Sequence, residues 1–201
     1  YSNCGLQSVT QTPPPGTVIS TNTVVQLVEQ KLNGTSDTCT FNVFVSDTTR
    51  PSITCLANQT GYLTATCDFT LPDYTTGITI NDNCGTAGLV LTQTPVAGTV
   101  ITANQVVTMQ VVDPSGNTSS CQFTVNVVDT IAPVLTAIPN DTIFLDANCQ
   151  AIVPDYSTQA NAQDNCSIQS ETQTPAAVTI ITSTTTVTYS AVSNGQTTTI
   201  S

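Results

Sequence analysis

Cysteine is the side chain with the most chemistry to offer in this chain, which holds eight of them. Cysteines can ligate a metal, act as nucleophiles or pair as disulfides. A thiol nucleophile needs a neighbouring base or cation to form its thiolate, yet the sequence has no histidine and only Lys31 and Arg50 as cations. A structural zinc site needs closely spaced Cys or His pairs, and no CxxC occurs. The carboxylates are the other reactive set. Paired acids could cleave a glycosidic bond across a cleft, but no two of them are set in a pattern that would line one. The chain therefore reads as non-enzymatic, with its cysteines as structural cross-links.

The rest of the composition fits that reading. Charged residues are 7% of the chain and the formal net charge is −11. Nucleic acid is excluded as a partner, because binding its phosphates takes many Lys and Arg. Anionic membrane surfaces are excluded for the same reason. No apolar run is long enough to span a bilayer, and no signal peptide or lipid-attachment motif is present, so an export signal or anchor is expected outside these residues. Val, Ile and Thr dominate, which favours strands. Eight cysteines in such a chain point to an oxidising, extracellular compartment.

The elements that carry the cysteines repeat. "SDTTRPSIT" at 46–54 returns as "VDTIAPVLT" at 128–136, and "TCDFTLPDY" at 66–74 returns as "NCQAIVPDY" at 148–156, both 82 positions on. "TQTP" occurs three times, at 10–13, 92–95 and 172–175, and "NDNCG" at 81–85 has relatives at 2–5 and 163–167. One complete unit is expected at 51–132, with the back part of a preceding unit at 1–50 and the front part of a following one at 133–201. The chain reads as a window on a longer array. Within the unit the apolar residues alternate: Phe123, Val125 and Val127, then Val107, Met109 and Val111, then Val187, Tyr189 and Ala191 face inward. "DPSGN" at 113–117 is a hairpin turn. Short strands and frequent turns in about 80 residues predict an all-β fold of tandem Ig-like Greek-key β-sandwiches, disulfide-stapled and arranged end to end. Pro51 and Pro133 stiffen the links between units.

Repeat arithmetic constrains the cysteine pairing. The complete unit holds Cys55, Cys67, Cys84 and Cys121. The next unit keeps Cys149 and Cys166 but has Ala137 and Ile200 in place of the other two. Pairing Cys55 with Cys121, Cys67 with Cys84 and Cys149 with Cys166 leaves no orphan there, unless a cysteine beyond Ser201 is the true counterpart. Cys4 and Cys39 are then expected to bond residues upstream, with a Cys4–Cys39 bond as the alternative. Each bridge is worth about 2–4 kcal/mol.

The series "ITC…C…DNCG…TQTP…GTVI…VVDPSGNTSSCQFTVNVVDT…P" resembles the hyalin-repeat (HYR) family over essentially the whole chain, as one full and two partial copies. The resemblance implies Ig-like sandwiches strung along an extracellular adhesive protein. Long acidic, Thr-rich arrays of this kind are similar to the giant cell-surface adhesins of Bacteroidota, including SprB-type gliding adhesins exported by type IX secretion. Cell-surface localisation, neighbouring repeats as partners, and a surface or polysaccharide ligand bound by regions outside this window follow as expectations. "DTT" at 47–49 and "DTI" at 129–131 and 141–143 resemble the O-glycan acceptor of that lineage, which makes Thr48, Thr130 and Thr142 candidate carriers.

No cofactor is required. Calcium is the one that the pattern admits, since oxygen ligands between stacked sandwiches would rigidify a rod. Asp47 and Asp129, at unit junctions, are its candidate ligands, with Asp82, Asp113 and Asp164 in turns. The plain alternative is turn-forming aspartate bonded to its own backbone. The expected role is a structural stalk or filament segment of a bacterial adhesin that transmits force and extends a binding tip. The alternatives are a glycan- or protein-binding Ig-like module and a self-assembling filament subunit. Aromatics are 5% with no Trp, and Phe41, Phe123 and Tyr189 fall on strands, which favours the stalk.

Overall fold

The computed structural model describes residues 5–201, and these are all-β apart from single helical turns. Three successive groups of strands follow the repeat. The first is a sheet of β1 (Leu6–Thr12), β2 (Thr23–Lys31) and β3 (Ser36–Val43) in that order. The second runs through β4 (Ser52–Thr54), β5 (Gln59–Tyr62), β6 (Phe69–Thr70), β7 (Thr79–Asn81), β8 (Val90–Thr94), β9 (Val100–Ile101), β10 (Gln105–Val112) and β11 (Thr118–Val128). The third holds β12 (Ala151–Ile152), the turn α1 (Ser157–Ala160), β13 (Ser170–Thr174), β14 (Ile180–Ile181), β15 (Thr188–Ser193) and β16 (Gln196–Ile200).

In the second group the main sheet is ordered β5-β11-β10-β8, with β5 parallel to β11 and the other pairs antiparallel. Two short pairs, β4–β7 and β6–β9, cover it as a second layer. The side chains between the layers are those that the period-2 pattern turns inward. Leu71, Ile101, Val107, Met109, Phe123 and Val125 form one buried cluster, with Tyr74 edge-on to Phe123 at 5.0 Å between ring centroids. The architecture is an Ig-like β-sandwich. Gly61 of β5 is buried against the Phe69 ring, where a Cβ would come within 2.9 Å.

The third group reuses this plan. β13, β15 and β16 stand for β8, β10 and β11, and the pair β12–β14 stands for β6–β9. The bridge between Val134 and Gln163 lies 82 positions from the β4–β7 partners Ser52 and Asn81. The hairpin at Asp113 turns through Gly116 at φ +88°, and its successor turns through Asn194 and Gly195, both at positive φ. In the first group, the β3 residue Phe41 is 49% exposed, whereas its repeat-mate Phe123 is 4% exposed. Most of the covering layer around Phe123, namely β4, β6 and β7, comes from residues 52–81, which have no repeat-mates in the first group.

The recurrence of "TQTP" and "PDY" has a common cause. Gln93 of the second TQTP is buried, and its side-chain amide donates to the Pro72 carbonyl at 3.1 Å while its carbonyl accepts from the Tyr74 amide at 2.8 Å. Gln173 does the same to Pro154 and Tyr156 at 2.8 and 2.9 Å. The glutamine pins the irregular PDY segment across the sandwich, where no strand pairing is available to it. Replacing Gln93 by Ala leaves the amide of Tyr74 and the carbonyl of Pro72 without these partners. The expected loss is about 1–3 kcal/mol, read as a lower urea midpoint at unchanged m-value; an unmoved midpoint would remove Gln93 from the account.

Candidate functional site

Among the described residues, those that recur with matching geometry lie at the joints between strand groups. At the first joint, the Asp47 carboxylate accepts from the Thr49 amide at 3.0 Å and from the Asn83 side chain at 3.3 Å. The Asn117 side chain donates to the Asp47 carbonyl at 3.1 Å and to Asp113 at 2.8 Å. At the second joint, the Asp129 carboxylate accepts from the Ile131 amide at 3.0 Å and from Asn165 at 3.3 Å. Here Asn194 donates to the Asp129 carbonyl at 2.9 Å. Upstream of each joint, Asn22 and Asn104 accept from the amides of Val45 and Val127, both at 2.9 Å. The joint is thus a set of side-chain amides that clamp the connecting strand from both groups.

The second joint is also covalent. Cys67 is bonded to Cys166, across 99 residues of sequence, and Asn165 donates to the Thr64 carbonyl beside Cys67 at 2.9 Å. A second disulfide joins Cys55 to Cys121 inside the second group and ties its two layers together. The expected pairs Cys67–Cys84 and Cys149–Cys166 are corrected by this connectivity. Cys67 lies in the turn between β5 and β6, at the end of the sandwich that meets the third group. Cys84 lies at the opposite end, beside Asp47 and Asp82. A bond between them would have to cross the length of the sandwich, whereas disulfide sulfurs need Cα atoms within about 7 Å. Cys149 occupies the same turn in the third group as Cys67 in the second, and it is a free thiol. Repeat arithmetic pairs the right types of cysteine; the partner sits one repeat further on. Cys84, Cys149 and Cys39 are exposed thiols, and Cys4 lies outside the described residues.

The electrostatics of Cys84 disfavour its thiolate. A hydrogen bond to Asp47, some burial, and the charges of Asp47, Asp82 and Asp113 push its thiol up. Asp47, Asp82 and Cys84 do bring one ligand atom each within 4.8 Å of the others. The matching set at the second joint is Asp129, Asp164 and Cys166, and there the sulfur is consumed by the bond to Cys67. At the second joint the same arrangement serves as a disulfide socket. Asp82 and Asp164 each give one oxygen to the following cysteine amide, at 3.1 and 3.0 Å. Their other oxygens, and that of the Asn165 side chain, are buried without a donor.

The glutamine pins and asparagine clamps escaped the sequence reading, although the recurrence of "TQTP" in three copies and of "DNC" in two carried part of the signal. Thr48, Thr130 and Thr142 are all exposed. No helix among the described residues is long and apolar enough to cross a membrane.

Asp164 makes the second joint sensitive to acid. Burial works against its charge, but the Cys166 amide, the Ser193 hydroxyl and the Ser167 amide outweigh that and hold its carboxyl below the usual range. A depressed folded pKa contributes stability above the unfolded value, near 4, that is lost as pH falls through the folded one. The thermal midpoint of the native chain is expected to fall below about pH 4 more steeply than that of Asp164→Asn. Identical pH profiles would contradict this assignment.

The joints fall at the edges of a segment known elsewhere. Residues 46–127 match the HYR domain family. Hyalin from Strongylocentrotus purpuratus is 31% identical over 147 residues, which cover 67% of this chain and 12% of hyalin. Among solved structures, the protocadherin gammaB7 EC3-6 cis-dimer aligns at a TM-score of 0.33 and 15% identity, covering 90% of this chain and 56% of that one. On the family match, the double-layered sandwich and its disulfide, residues 46–127 are an HYR-type module.

Proposed function

We propose that this chain is a length of an extracellular adhesive protein in which HYR-type modules are joined end to end and carry tension without enzymatic activity. The bond between Cys67 and Cys166 is the observation that supports it most. Along the backbone, Cys55 and Cys166 are 111 residues apart; through the disulfide the path is the 12 residues from Cys55 to Cys67. A pull along the chain passes through that bond and cannot unravel residues 68–165. Such a constraint suits a stalk under load. The similarity to hyalin fits an adhesive context, and surface display in a gliding bacterium, with glycans on Thr48, Thr130 and Thr142, is the finer form of the same proposal.

An elongated stack is distinguishable from a globule in solution. Modules about 35 Å long, stacked end to end, give a radius of gyration of about 25 Å, against about 16–17 Å for one compact domain of this length. Small-angle scattering near the lower value would reject the stalk.

Calcium at the joints is a second reading, favoured by the buried oxygens of Asp82, Asp164 and Asn165 that lack donors. If the ion is held there with Asp47 and Asp129, millimolar calcium raises the thermal midpoint by several degrees over chelator. Coincident melts in calcium and chelator would dismiss it.

A further inference from the structure

Two exposed thiols are built as copies of the two ends of the inter-module disulfide. Cys84 follows Asp82 and Asn83 as Cys166 follows Asp164 and Asn165. In both sockets the aspartate accepts from the cysteine amide, at 3.1 and 3.0 Å, and the asparagine side chain points at the sulfur, at 3.5 and 3.3 Å. Cys149 copies Cys67 in turn. Both sit at positive φ, 59° and 57°, a region that a non-glycine residue occupies at a cost. Both turns are closed by the cysteine amide donating three residues back, to Asp146 and Thr64, each at 3.0 Å. The turns are also braced by an acidic side chain: Asp68 accepts from Thr64 and Thr66, and Asp146 accepts from the amides of Asn148 and Gln150. Cys149 thus holds the bonded conformation of Cys67 while being itself a free thiol.

We propose that Cys84 and Cys149 are half-cystines for further repeats of this kind in the same polypeptide. Cys84 takes the sulfur of a Cys67-type turn in a repeat before it, and Cys149 takes the sulfur of an Asp-Asn-Cys turn in a repeat after it. In each case two thiols lose two protons and two electrons and form one S–S bond, while a disulfide oxidant is reduced to two thiols by exchange. The consequence is a continuous covalent bypass. It enters a module at Cys84, runs 17 residues back to Cys67, crosses to Cys166 and runs 17 residues back to Cys149. Seventeen residues in place of an 82-residue repeat make the extensible contour nearly fivefold shorter.

The test is disulfide mapping of the protein isolated from the cell that makes it, with free thiols alkylated before digestion without reductant. The expected result is that neither Cys84 nor Cys149 is alkylated and that each is recovered joined to a peptide of an adjacent repeat. The Cys67–Cys166 peptide should appear beside them, with one electrophoretic mass regardless of reductant. Alkylated Cys84 or Cys149, a Cys67–Cys84 or Cys149–Cys166 peptide, or reductant-sensitive multimers would overturn the proposal. The inference rests on the tandem-array part of the proposed function and not on its mechanical role, which solution scattering tests separately.

Discussion

The bond between Cys67 and Cys166 decides what kind of object this chain is. Without it, the second and third strand groups would be two small sandwiches on a short connector, held by a few amide hydrogen bonds each worth about 1 kcal/mol. With it, the end of one sandwich is fixed to the beginning of the next at a point away from the connecting strand. A joint held at two separate places resists bending as well as stretching. The turn that carries Cys67, the socket that carries Cys166 and the asparagines around them exist to bring those two sulfurs together.

The chemistry of the joint follows from a composition almost without cations. Only two basic residues are available, so the carboxylates cannot be offset by ion pairs. Backbone amides, threonine and serine hydroxyls, and the side-chain amides of asparagine and glutamine do that work instead. Such bonds are neutral on the donor side and keep their geometry in varying salt. The same economy operates inside the sandwich, where Gln93 and Gln173 replace a strand pairing that the PDY segment cannot make.

Much of this was legible in the sequence. Alternation in "CQFTVNVVD" placed Phe123 and Val125 in the core, and the 82-residue spacing gave the recurrence of elements, because both signals are local and periodic. The partner of Cys67 was not legible. Repeats reveal which positions correspond, but they are blind to a shift by one whole unit, since Cys84 and Cys166 are the same position in different copies. Only the direction in which each turn faces separates them, and that depends on tertiary structure. The roles of Gln93, Asn117 and Asn194 were hidden for a related reason: each contacts a residue far off in sequence whose identity does not constrain it, a backbone carbonyl or amide.

Pulling a single molecule of this chain from its two ends tests the account most directly. With disulfides intact, residues 68–165, between Cys67 and Cys166, should contribute nothing to the extension. Reductant should then release about 350 Å of new contour, at about 3.5 Å per residue. Release of that length before any reductant is added would show that the joint is not covalently closed, and the account would fail.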